Sequence, residues 1–251
     1  MAKSKRYYIR KTHRYLGLIL GIQFLIWTIS GLYFSWTNID EIHGDFQHKH
    51  TPKLSGNVNL VSPSTIFENL AYVADSIHSL QLISILGKPF YNIQFFNSKK
   101  LHKVLADATN GKIRPAISEK ESLQIAAESF NGMPTLKSVE YITSTNGHHE
   151  YREKPLPAWA VTFEHPTNTT VYVSAEGGKV ESFRNNKWRL FDFLWMGHTM
   201  DYKSRDNINN WLLRIFSAFG LITVLSGFVL FFVSSKSLKR KRKITPVVSS
   251  T

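Results

Sequence analysis

The sequence predicts a membrane α+β protein. Two transmembrane helices with both termini cytoplasmic enclose an extracytoplasmic domain made of two helix-plus-antiparallel-sheet repeats. Three observations predict it. Two long apolar runs, 15–36 and 211–233, lie near the ends of the 251-residue chain. Each carries a basic cluster on its outer flank, and the stretch between them repeats one strand–turn–strand pattern.

The runs have 22 and 23 residues. At about 1.5 Å per residue a helix of either length covers a hydrocarbon core of about 30 Å. Interfacial aromatics mark their ends: Tyr7, Tyr8, Tyr15, Tyr33 and Trp36 on the first, Trp211, Phe231 and Phe232 on the second. The first run is too long for the apolar part of a cleaved signal peptide, and no small-x-small site follows Trp36, so an uncleaved anchor is expected.

Charge sets the orientation. Lys3, Lys5, Arg6, Arg10, Lys11 and Arg14 flank the first run; Lys236, Lys239, Arg240, Lys241, Arg242 and Lys243 flank the second. These 12 of the 31 Lys and Arg leave 19 basic against 18 acidic residues, so the net charge of +13 resides almost wholly in the tails. Cationic flanks stay on the cytoplasmic side of a bilayer and touch anionic lipid. A near-neutral outer part argues against a nucleic-acid partner. The mean hydropathy of −0.18 averages two lipid segments with a polar domain. The absence of cysteine excludes disulfides, Cys-ligated zinc, iron–sulfur clusters, thiol catalysis and covalently attached haem.

The expected organisation is a basic tail 1–14, a span 15–36, an outer domain 37–210, a span 211–233 and a basic tail 234–251. Within the outer domain the repeats cover about 62–115 and 118–184, followed by an interfacial segment 185–200. The first repeat opens with a helix over 62–74, started by Ser62 before Pro63. Strands over 80–86, 91–97 and 103–107 follow, with a turn at Asn110-Gly111. In the second, Ser118 with Glu121 three residues on fits a capping box, and a helix runs to about Phe130. Strands over 136–143, 159–164 and 170–175 follow, with a turn at Gly177-Gly178. The second repeat carries an insertion, 146–157, in which His148, His149 and Glu150 are expected at the surface.

The paired segments Val104-Leu-Ala-Asp-Ala-Thr-Asn-Gly-Lys-Ile and Val171-Tyr-Val-Ser-Ala-Glu-Gly-Gly-Lys-Val resemble the PepSY domain. The stretch Arg10-Lys-Thr-His-Arg-Tyr-Leu-Gly-Leu-Ile resembles the opening of PepSY-associated transmembrane proteins. Leu194-Trp-Met-Gly-His-Thr and Leu225-Ser-Gly-Phe-Val-Leu resemble their later motifs. The resemblance implies a bacterial inner-membrane protein, multi-pass, with a periplasmic central domain. It also implies haem b on membrane histidines and a role in ferric-siderophore reduction and iron uptake. Carried onto this chain, the ligands are His13 and His198. Such relatives commonly have four helices. This chain has two, so a homodimer or larger complex is expected, with a His13 pair and a His198 pair each holding one haem.

The residues themselves bear on this. On a wheel of about 100° per residue, His13, Gly17, Gly21, Thr28, Gly31 and Ser35 share one face, a small-residue stripe that lets a helix or a flat macrocycle approach. His198 lies in an aromatic amphipathic stretch before the second span. His43, His48 and His50 with Asp45 form a tract with metal-ligating residue types, expected as a solvated loop. Arg214 is placed to reach headgroups or a propionate. No hydrolase motif, phosphate loop or dinucleotide fingerprint is present. Three readings stay open: haem-bearing electron transfer, a non-redox binding module, and an accessory transporter subunit.

Overall fold

A computed structural model describes residues 5–49, 53–71 and 73–234. The basic residues beyond Ser234, Lys3 and His50 lie outside them. The chain divides into two compact units: Met1–Trp36 with Phe193–Thr251, and Thr37–Asp192.

The first unit is helical. α1 (Lys5–Trp36) and α6 (Trp211–Ser234) are the two helices long and apolar enough to cross a membrane. Only 17% and 11% of their apolar windows are buried, the pattern of lipid-facing spans rather than of soluble core helices. They run antiparallel, because His13 meets Ser226 and Gly227 while Phe24 meets Gly220. The ends near Lys5 and Ser234 therefore lie together. α5 (Asn186–Thr199) forms a 14-residue helix where an interfacial segment was expected. After it, Asp201 organises the connection to α6. Its carboxylate accepts from the backbone N–H of Lys203, Ser204 and Asn207 and from the Ser204 hydroxyl. Burial pushes this carboxyl up, but the hydrogen bonds outweigh it and hold it at about 2.

The second unit holds two four-stranded antiparallel meanders, β1 (Ser76–Ile85), β2 (Lys88–Asn97), β3 (Lys100–Asp107), β4 (Ile113–Arg114) and β5 (Thr135–Ile142), β6 (Ala158–Glu164), β7 (Thr170–Ser174), β8 (Val180–Arg184). A helix precedes each: α3 (Pro63–Glu68) and α4 (Glu119–Ser129). The sheets match at their turns. Gly111 N–H donates to Asp107 O at 2.8 Å and Gly178 N–H to Ser174 O at 2.9 Å. Ala108 and Ala175 both donate to a proline carbonyl, Pro89 and Pro157. Gly178 has φ +66, and an added Cβ would fall 2.4 Å from Ile85 Cδ1. A side chain there would strain the backbone and displace the Ile85 terminus, so glycine suits the close approach of the second turn to the first sheet.

One core lies between the sheets, where Ile85, Phe90 and Leu105 meet Val161, Phe163, Val171, Val173 and the α4 residues Ile125 and Ala126. Alternation directs the other face of β2 (Tyr91, Ile93, Phe95) to Ile66 of α3. The capping box forms as expected, Ser118 and Glu121 exchanging bonds, with Arg114 bracing the glutamate.

Two expectations are corrected. The helix expected over 62–74 ends at Glu68, because Asn69 caps it: its side-chain amide donates to Thr65 O and its N–H to Ile66 O. In the insertion 146–157, His148 is exposed and His149 and Glu150 are half-buried. Tyr151 is fully buried, stacks on Tyr172 at 4.5 Å, and its hydroxyl donates to Pro155 O. Glu150 takes a fork of bonds from Arg189 and one from the Tyr172 hydroxyl. This segment covers the face of the second sheet that α4 does not. The His43–His48 tract is ordered: α2 (Ile39–His43) is capped by Gly44, a 3₁₀ turn (Asp45–Gln47) follows, and His48 bridges to Phe130 and packs on the Phe183 ring.

Candidate functional site

The two histidines singled out from sequence both belong to the helical unit, and both are held in the same way. His13 Nδ1 lies 2.7 Å from the Ser226 hydroxyl on α6. His198 Nδ1 lies 2.7 Å from the Ser30 hydroxyl on α1. Neither serine was a candidate in sequence; a hydroxyl in an apolar span is the signal that could have marked them.

Each serine hydroxyl has one proton and more than one acceptor in reach: for Ser226 the Thr223 carbonyl at 2.8 Å and His13 Nδ1, for Ser30 the Ile26 carbonyl at 2.7 Å and His198 Nδ1. When the proton goes to the helix backbone, the serine accepts from Nδ1–H and Nε2 is the unprotonated nitrogen of the neutral ring; when it goes to the imidazole, the roles reverse.

The surroundings differ. His198 packs parallel to Trp195 (6.2 Å, 10°) and edge-on to Phe34 (5.5 Å). Its carbonyl accepts from Trp27 Nε1 at 2.7 Å, and the Gly197 carbonyl accepts from Gln23 Nε2 at 2.9 Å. Gln23, Trp27 and Ser30 thus form a polar ladder on one face of α1 that grips the end of α5. Gly197 permits the approach, since a Cβ there would sit 3.2 Å from Ile26 Cγ2. Burial pushes the His198 imidazole down, toward the neutral form a metal requires.

His13 lies at a border. The α1 residues that face the other helices, Leu20, Gln23, Trp27 and Ser30, occupy one sector of the wheel. The stripe Gly17, Gly21, Thr28, Gly31 and Ser35 occupies the adjacent sector, about 100° per residue separating successive positions. A Cβ added at Gly17, Gly21 or Gly31 would meet nothing within 4 Å, so this chain leaves the stripe open. On α6 an apolar recess of about 480 Å³, lined by Val224, Gly227, Phe228, Phe231 and Phe232, lies beside His13, whose Cε1 is 3.5 Å from the Cβ position of Gly227.

His13 and Ser30 are separated along α1 by about 25 Å at 1.5 Å per residue, so His13 and His198 do not share one metal ion. Among the described residues no three His, Cys, Asp or Glu side chains gather as a metal site, and His43, Asp45 and His48 do not converge as one. Arg14 and Lys11 approach the Tyr15 ring, and Arg214 the Trp211 ring. Compared with known proteins, the chain matches no family model, no curated protein and no solved structure.

Proposed function

We propose that this is a PepSY-type protein of a bacterial inner membrane, with residues 37–210 periplasmic. It holds haem b at His13 and His198 and passes electrons toward a ferric-siderophore acceptor. The observation that carries the reading is the shared tether: each histidine is held at Nδ1 by a serine hydroxyl 2.7 Å away, and in the tautomer where Nδ1 donates, Nε2 is the nitrogen that would ligate iron while the other is anchored. Bound haem would supply reversible one-electron exchange.

The chain's own residues orient and shield. Ser226 and Ser30 set the two rings, and the Trp195 and Phe34 rings pack against His198. The glycine stripe and the recess beside Gly227 give a flat ligand access to His13. Arg14 and Lys11 are the cations nearest for propionates at the cytoplasmic headgroups. One chain offers one histidine at each level, so a second histidine to hold the group would come from another copy laid against the open stripe. The result is a homodimer of four helices. The matched meanders, each behind its helix, support the PepSY reading of the outer domain.

The test is an optical spectrum of detergent-purified protein made with ample haem. We expect a reduced-minus-oxidised haem b signal that His13→Ala and His198→Ala each diminish and that the double variant nearly abolishes. Absence of Soret absorbance in the unaltered protein would overturn the proposal.

A further inference from the structure

Among the described residues, the cations at the Lys5 end of α1 have no counter-charge. Arg10, Lys11 and Arg14 are exposed. The first acidic residue of the chain is Asp40 and the last is Asp206, and neither α1 nor α6 contains one. Asp40 follows the Trp36 end of α1 and Asp206 precedes the Trp211 end of α6, so both lie past the far end of this antiparallel pair. The balancing charge for these cations has to come from outside the chain.

Below them the two helices form a furrow. On a wheel of about 100° per residue, Arg10, Arg14, Gly17 and Gly21 fall within about 60° of one another, to one side of His13. On α6 the recess residues Val224, Phe228, Phe231 and Phe232 fall to one side of Gly227, the residue that meets His13. The helices are antiparallel, so the same rotational sense from these two contact residues leads to the same side of the pair. The glycines and the recess of about 480 Å³ are therefore two walls of one furrow. α5 takes the opposite side, held by Gln23, Trp27 and Ser30. At about 1.5 Å per residue, Phe231 lies one turn beyond Gly227, level with Arg10, and Val224 lies level with Gly17. The arginines thus stand at the headgroup end of an apolar trough that runs inward from them.

The geometry points to a site for one anionic phospholipid of the adjacent leaflet. Its phosphate meets Arg10 and Arg14, whose planar forks suit phosphate oxygens. One acyl chain lies between Gly17 and Gly21 on one side and Phe228 and Phe231 on the other. The trough alone would accept any apolar partner; two uncompensated guanidinium groups at its head select a negatively charged one. The inference does not rest on haem. A second copy contends for the same glycines, so the site is tested on the haem-free chain.

The test is native mass spectrometry of the full-length, haem-free protein, released from detergent containing phosphatidylglycerol or phosphatidylcholine with the same acyl chains. We expect one phosphatidylglycerol retained per chain, at least about tenfold more tightly than phosphatidylcholine, since two cations lie near its phosphate. Arg10→Gln with Arg14→Gln changes exposed side chains only and should abolish that preference. Gly17→Leu with Gly21→Leu fills the trough and should weaken retention of both lipids. Equal retention of the two lipids, uptake without a single-lipid plateau, or a preference unchanged in the arginine variant would overturn the proposal. So would displacement of the lipid by inorganic phosphate, which would leave a headgroup site without the trough. A haem-free dimer carrying no lipid would also overturn it, making a second copy the occupant.

Discussion

Near the Lys5 end of α1, His13 is fixed by one hydrogen bond to Ser226 and otherwise borders open glycines and a shallow recess. Farther along, His198 has the same serine tether, but two aromatic rings cover it and the Gln23–Trp27–Ser30 ladder holds the helix end that carries it. Both imidazoles are partly exposed, but the second site is held by more contacts than the first. A hydrogen bond in a more fully packed surround is worth more, and a broken one costs more. The tether at His198 should therefore matter more than the tether at His13.

Four measurements test that contrast, beginning with the largest expected effect. Ser30→Ala should weaken haem binding at His198 about 100-fold, the upper end of the usual range for a group that orients a ligand, read by titrating haem into apo-protein. Trp27→Phe leaves the His198 carbonyl without its donor and should cost the helical unit about 1–3 kcal/mol, seen as a lower melting temperature in detergent. Ser226→Ala should weaken haem binding at His13 by only about tenfold; a loss equal to that of Ser30→Ala would break the comparison. Acidification gives the smallest effect. The folded state holds the His198 imidazole below its ordinary value of about 6.5. Below that pH the unfolded chain binds the proton more readily than the folded one. The stabilisation from the neutral ring is complete above about pH 6.5 and is lost as pH falls from there toward the depressed folded value. Melting of the apo-protein should drop between pH 7.5 and 5.5, and His198→Gln should flatten that dependence.

Much of the frame was legible in the sequence because it is written in local pattern. The apolar runs, the Ser118–Glu121 capping box and the Asn110-Gly111 and Gly177-Gly178 turns depend on neighbours in the chain, and each appears near its expected place. What depended on distant partners was not legible. Tyr151 carried no signal of its own in the insertion, yet Tyr172, farther along the chain, stacks on it in the interior. The helix after Ser62 was read too long because the cap at Asn69 is one amide reaching back to Thr65. At the candidate site the histidines stood out as residue types, whereas Ser30 and Ser226 gained meaning only once the helices were placed side by side.

The two adjoining sectors of α1 separate two tasks within one helix. Leu20, Gln23 and Ser30 keep this chain's own helices together, while Gly17, Gly21 and Gly31 touch none of them. Any association through the stripe would thereby be uncoupled from the fold. Bulky side chains at Gly17 or Gly21 should leave the monomer intact yet abolish any association that uses the stripe. Changes on the other sector should unravel the helical unit before association can be asked about. A protein arranged this way can gain or lose a partner by substitutions that never pass through an unfolded intermediate, and a partner matched to the stripe need not be a second copy of the same chain.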